Sequence, residues 1–159
     1  MEQGENIHLM PGGFNEILLT ENYTYNLYVD TWFIAMCVKH NYNIIPVLNI
    51  GENETYCIYK LPRSIYRLIF NYIYKYIKLP VFFALGKNFT LAPYNTNIWS
   101  LYGKPIECGV RDNEEIHHAV ERIQQRICRN LKDLFYENIH LFCKKYDLDP
   151  KMYKINIYG

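Results

Sequence analysis

Apolar positions recur at helical spacing in two stretches of this chain and form unbroken runs in others. The clearest stretch is Ile116, Val120, Ile123, Ile127, Leu131 and Leu134, at steps of 4, 3, 4, 4 and 3. That period predicts an amphipathic helix over about 113–146, opened by an Asp112-to-Glu115 capping box and closed before Pro150. Ile65, Leu68, Ile69, Tyr72, Ile73, Tyr76 and Ile77 predict a second helix inside Arg63–Gly86, ended by Pro80, with the VFFAL run after it as a buried strand. Between Ile44 and Gly51 the run IIPVLNIG predicts a strand stopped by the glycine. Ahead of it, Asp30 or Thr31 caps a helix through TWFIAMCVKHN, with Trp32, Phe33, Met36 and Cys37 expected on one side. The first residues, Asn6 to Met10, read as a short strand entering a Pro11-Gly12-Gly13 turn, and 17–28 can hold one or two more strands. Helix between strands implies an α/β layer with a parallel sheet, and nothing divides residues 1–159 into two domains.

Charge changes this picture more than composition does. The chain is nearly balanced, at +1 over 159 residues, which favours neither a nucleic-acid partner nor an acidic one. Yet Thr55 to Ile106 contains no Asp or Glu, while Lys60, Arg63, Arg67, Lys75, Lys78, Lys87 and Lys104 give it +7. The rest carries ten basic residues against sixteen acidic ones. Half of the 16 tyrosines fall in the same basic block, beside Phe70, Phe82, Phe83, Phe89 and Trp99. Cations beside aromatic rings suit a membrane interface, where rings sit at headgroup depth and cations meet lipid phosphate; they equally suit a solvated surface helix with its aromatics in the core. No run reaches the roughly 18 apolar residues that a spanning helix needs, and the first ten residues lack the pattern of a signal peptide. The five cysteines, Cys37, Cys57, Cys108, Cys128 and Cys143, form no CxxC pair; they read as core-filling thiols, with no metal site implied.

Two glycines after an apolar segment mark a turn with positive φ or a backbone that approaches a ligand closely, which singles out Gly12, Gly13 and the following Glu16. Glu52 and Asn53 follow the Pro46–Gly51 strand, where strand ends face ligands in open α/β sheets. His40 suits the negative end of its helix, and His117, His118 and His140 lie on the terminal helix without metal-ligand spacing.

Three blocks carry a family resemblance: MPGGFNE at Met10–Glu16, WFIAMCVKHNYNIIPVLNIGENE at Trp32–Glu54, and LAPYNTNIWSLYGKPIE at Leu91–Glu107. In order and spacing they resemble the carboxy-terminal portion of the diacylglycerol and monoacylglycerol acyltransferases, the type related to glycerol-phosphate acyltransferases. Phe33, Ala35, His40, Pro46, Gly51, Glu52 and Asn53 fall in register with that pattern. The chain departs from it at Asp30-Thr31-Trp32, where the family has a basic pair, and at Leu85-Gly86-Lys87, where it is richer in glycine. The family's HPHG motif does not occur, and His8 matches nothing catalytic.

The resemblance implies a glycerolphosphate-acyltransferase-like α/β sheet flanked by helices, incomplete on its amino-terminal side, and poor solubility for the isolated chain. It implies acyl transfer from acyl-CoA, as co-substrate rather than cofactor, to a mono- or diacylglycerol hydroxyl in triacylglycerol synthesis. The site residues it implies are Gly12, Gly13, Glu16, Pro46, Gly51, Glu52 and Asn53, with the catalytic histidine outside this chain. Expected partners are acyl-CoA, a glyceride, a membrane surface and a missing amino-terminal half, at the cytoplasmic face of the endoplasmic reticulum or a lipid droplet. The alternatives are a phospholipid-type acyltransferase and an inactive lipid-surface or regulatory remnant of the fold.

Overall fold

In a computed structural model of the chain, residues 6–13, 16, 19–59 and 83–159 are described. Their elements run β1 (Thr24–Tyr28), α1 (Thr31–His40), β2 (Val47–Ile50), β3 (Cys57–Tyr59), β4 (Phe83–Leu85), β5 (Trp99–Tyr102), α2 (Ile116–Tyr146) and β6 (Lys154–Tyr158). The architecture is mixed α/β, with the strands pairing as β1–β6, β2–β5 and β3–β4. The first pair is parallel, in register Thr24↔Lys154 to Tyr28↔Tyr158. The other two are antiparallel. This corrects the expectation of a parallel sheet through β2. The chain leaving Gly51 returns through Trp99–Tyr102 alongside β2, and the pairing continues to an Ile44↔Ile106 bridge. Asn6–Met10, expected as a strand, has no regular structure and pairs with no strand among the described residues. The helix expected in Arg63–Gly86 falls largely outside the described residues, and the strand expected after Pro80 is β4.

α2 organises the core. Its 31 residues extend about 46 Å at 1.5 Å per residue. It buries Val120, Ile123, Ile127, Leu131, Phe135, Ile139 and Phe142, one face at steps of three and four. That face packs on α1 and on β2, whose Ile50 is fully buried, as are Ile34 of α1 and Ile123. α1 is capped as expected, with the Asp30 carboxylate accepting from Trp32 N. Its buried face is Phe33, Ile34, Cys37 and Val38, while Trp32 and Met36 point outward. The expected stripe was therefore rotated: Trp32/Met36 and Ile34/Val38 are both i, i+4 pairs, and the core selects the second.

The capping box at Asp112–Glu115 does not form. Glu115 is the N-cap but its side chain makes no capping bond, and Asn113 takes a left-handed φ of 60°. The neighbouring Glu114 performs the ordering instead. It accepts from Arg111 N at 3.0 Å and takes a two-pronged contact from Arg122, Nε at 2.7 Å and Nη2 at 2.8 Å. Arg122 also donates to the Gly109 carbonyl at 3.0 Å, so the segment before α2 is tied down to the helix's second turn. At the other end Asp147 closes α2 in the left-handed conformation, and Leu148 N returns to the Cys143 carbonyl.

All five cysteines are free thiols. No helix among the described residues is long and apolar enough to cross a membrane.

Candidate functional site

Strand β1 has two edges, and only one is covered by β6. Tyr23 O accepts from Lys154 N, and Val29 N donates to Tyr158 O, so the odd-numbered peptide groups face β6. By the two-residue period of a strand, Thr24, Asn26 and Tyr28 present theirs to the other edge. Side chains of the two predicted motifs occupy that edge. The Glu16 carboxylate accepts from Tyr28 N at 2.8 Å, and the Asn53 amide donates to the Thr24 carbonyl at 2.8 Å. A third group, Glu54, accepts from Tyr23 N at 3.1 Å, where the chain enters β1 with a left-handed φ of 59°.

The Gly12-Gly13 turn has a direct steric reason. Glu16 N donates to the Gly12 carbonyl at 3.3 Å, the closing bond of one helical turn, and this folds the Glu16 side chain back over Gly12. A Cβ on Gly12 would lie on the Glu16 Cγ and Cδ atoms. Gly13 has φ +47°, a left-handed conformation that other residues adopt only at a cost. Small residues are therefore required for Glu16 to reach β1. Glu16 is half-buried; burial pushes its carboxyl pKa up, the Tyr28 amide opposes this, and repulsion from Glu52 adds to the rise.

The second motif follows β2. Gly51 is buried at φ +93°, and a Cβ there would strike the Asn97 carbonyl oxygen. Its amide donates to the Tyr25 hydroxyl at 2.7 Å, linking the loop to the core face of β1. Glu52 itself is exposed and accepts from Asn49 Nδ2 at 2.9 Å. Asn53 is turned inward to β1, and Asn22 clasps the loop from the other side, donating to the Asn53 and Tyr56 carbonyls at 2.8 and 2.7 Å. Pro46 is buried at the start of the strand and accepts from Gly103 N at 2.8 Å, so the GKPIE block is tied to the IIPVL block. Of the seven residues singled out from sequence, Glu16 and Asn53 both bind the outer edge of β1, Gly12 lies under the Glu16 side chain, and Gly51 binds the Tyr25 hydroxyl. Gly13 and Glu52 make no hydrogen bond to the strand among the described residues. Pro46 stands apart, at the far end of β2.

Sequence reasoning missed the polar group beneath this edge. Glu54 carries one buried oxygen, Oε2, that meets no hydrogen-bond partner of good geometry. Burial is the main reason its pKa lies above the ordinary carboxyl value; the Tyr23 amide, its own backbone and the neighbouring Tyr25 hydroxyl offset part of the rise. Tyr25 and Tyr153, both buried, have their hydroxyl pKa values pushed well above the phenolic norm, chiefly by burial. The three side chains come from β1, the loop after β2 and the chain entering β6. No sequence spacing relates them.

The histidines are elsewhere. His40 ends α1, His8 lies in the irregular first segment, and His117, His118 and His140 are exposed on α2. Among the described residues none is hydrogen-bonded to Glu16, Glu52 or Glu54, and no group of three or more His, Cys, Asp or Glu is placed to hold a metal ion. What the arrangement offers chemically is two partly desolvated carboxylates, Glu16 at the edge of β1 and Glu54 at its entry, able to accept protons or orient hydroxyl groups.

Comparison with known proteins gives this arrangement a context. Three similar proteins are the 2-acylglycerol O-acyltransferases 1 of Mus musculus, Homo sapiens and Bos taurus. The mouse protein is 28% identical over 135 residues, covering 80% of this chain and 40% of its own length. The human and bovine proteins are each 28% identical over 146 residues, covering 86% of this chain and 43% of theirs. The chain thus spans less than half the length of these curated relatives. No solved structure matches significantly. The family profile described as diacylglycerol acyltransferase matches residues 1–153, nearly the whole sequence including all three motif blocks, and the chain belongs to that family.

Proposed function

We propose that this chain forms the carboxy-terminal part of an acyl-CoA-dependent lipid O-acyltransferase acting on mono- or diacylglycerol at a membrane surface. The observation that carries the proposal is that Glu16, from the Gly12-Gly13 motif, and Asn53, from the Gly51-Glu52 motif, close the same edge of β1, within a chain of this family. In the reaction the acceptor hydroxyl oxygen attacks the thioester carbonyl, the ester C–O bond forms and the thiolate of coenzyme A leaves. A general base removes the hydroxyl proton, which ends on the thiol. That base is proposed to be a histidine on a segment outside this chain, since the sequence contains no HPHG motif. Glu16, held by the Tyr28 amide, is proposed to orient that histidine or the acceptor, and Glu52 to border the same site. The fold is proposed to be of the glycerolphosphate-acyltransferase type and the site to lie at the endoplasmic reticulum or a lipid droplet, as expected of water-insoluble substrates.

The test is acyl-CoA consumption by the chain together with its HPHG-bearing segment, with mono- and diacylglycerol as acceptors. Glu16→Ala is expected to lower turnover by roughly 10- to 100-fold, the scale of a lost positioning contact, with Glu16→Gln retaining more. Unchanged turnover in Glu16→Ala would remove Glu16 from the mechanism. Activity restricted to lysophospholipid acceptors would reassign the reaction to phospholipid synthesis. No turnover under any pairing would leave the second reading, a non-catalytic lipid-surface module; its support is that Glu16 and Asn53 are already engaged in closing the β1 edge.

A further inference from the structure

The turn after β4 exposes its largest apolar side chains. Phe89 is 78% exposed and Leu91 81%, with Tyr94 beyond them at 42%. Loose loops often expose single apolar residues, but this one is built. Gly86 N donates to the Thr90 carbonyl at 2.7 Å, Lys87 N to the Ala92 carbonyl at 2.8 Å, and the Thr90 hydroxyl to the Lys87 carbonyl at 2.7 Å. The Tyr56 hydroxyl donates to the Leu91 carbonyl at 3.1 Å, and Tyr94 N to the Thr55 carbonyl at 2.8 Å, which fastens the turn to the loop after β2. Gly86 is buried, and a Cβ there would collide with the Ala92 carbonyl.

Two successive non-glycine residues, Asn88 and Phe89, are held at left-handed φ values of 55° and 59°. Such conformations persist where the surroundings enforce them, often at functional positions. Here the enforced strain lifts Phe89 away from the protein, so it gains no burial of its own.

We propose that the Lys87–Leu91 turn is a membrane wedge, with Phe89 and Leu91 entering the acyl-chain boundary of an anionic bilayer. Charge selects this partner over a second copy of the chain or an apolar peptide. The turn lies inside the Thr55–Ile106 block, which has seven basic residues and no acidic one, and both Lys87 and Lys104 are exposed. An apolar tip that carries Lys87 and belongs to a basic stretch of sequence suits lipid chains below and headgroup phosphates around it. The wedge rests on the membrane part of the proposed function and not on acyl transfer.

Vesicle sedimentation of the full chain tests it, using pure phosphatidylcholine and phosphatidylcholine containing phosphatidylserine, with no acyl-CoA or glyceride present. The wild-type chain is expected to bind the anionic vesicles more strongly. Phe89→Ser/Leu91→Ser is expected to bind them roughly tenfold or more weakly. Tyr136→Ser, at an exposed position on α2, is expected to bind as the wild type does. In a Phe89→Trp variant, emission should shift to the blue and be quenched by brominated lipid chains. The proposal is overturned if the chain binds no vesicle, if the double variant binds like the wild type, or if Trp at 89 stays unquenched. It is also overturned if the double substitution abolishes self-association and leaves lipid binding intact. Vesicle binding by a chain inactive with every acceptor would separate the failure of acyl transfer from that of the wedge.

Discussion

Glu54 illustrates how one side chain can answer two demands at once. Oε1 closes the left-handed entry to β1 by accepting from Tyr23 N, while Oε2 is buried without a well-formed partner. Burial raises the pKa of this carboxyl above its ordinary value, so the folded state binds its proton more tightly than the unfolded state does. Stability from this group is therefore fully present below the unfolded pKa and is lost as pH rises through the folded one. Glu54→Gln, which stays neutral, removes that dependence. The urea midpoint of the wild type relative to the variant is expected to fall as pH is raised from the ordinary carboxyl range, and a constant difference across pH would refute the assignment. None of this was legible in the sequence. Glu54 followed directly on two residues that were singled out, but its significance arises only where Tyr25, 29 positions earlier, comes to lie beside it.

Among the described elements, α1 and α2 were the most readable, because a 3.6-residue period and a capping aspartate are local signals. The departures were tertiary. α1 is apolar around so much of its surface that its sequence does not say which stripe is buried, and Trp32, expected on the same side as Phe33 and Cys37, is 57% exposed while those two are buried. At the start of α2 the capping box is absent and an ion pair formed eight residues apart, Glu114–Arg122, orders the segment. Arg122 binds Glu114, which lies between the two residues of the expected box, and holds its carboxyl pKa down to about 2. A depressed carboxyl pKa stabilises the fold above the ordinary value, and that contribution is lost as pH falls toward 2. Arg122→Ala should accordingly raise amide hydrogen exchange across residues 109–115 and leave the middle of α2 protected. Acidification should then produce little further loosening there, whereas in the wild type it should produce most of it. Equal protection of that segment in both proteins would show that the ion pair is incidental. The motif blocks were legible as a pattern, and their meeting at one strand edge was not, since it depends on hydrogen bonds between groups 12 and 29 residues apart.

For the whole molecule, the β1–β6 ladder is the contact that closes the fold. Its pairing was invisible in sequence, because residues 154–158 gave no signal beyond a short alternation. Lys154 N donates to Tyr23 O, so by the strand period the peptide groups of Asn156 also face β1. Proline at 156 removes a ladder donor, and Asn156→Pro is expected to cost about 3 kcal/mol or more. Asn156→Ala, which loses an exposed side-chain bond to Asn26, should cost about 1 kcal/mol or less. Matching urea midpoints for the two variants would mean that β6 contributes little to closure.

That ladder joins residues about 130 positions apart in a parallel sense, as between Asn26 and Asn156. During synthesis at about 5–20 residues per second, β1 leaves the ribosome roughly 6–26 seconds before β6 exists to pair with it. One edge of β1 can be closed early, by Glu16 and then by Asn53, both encoded within 30 residues of it. The other must wait for the last strand described. For a growing chain, the motif residues thus act as guards: they shield one open side of a nascent strand from neighbouring chains while its partner has yet to be made.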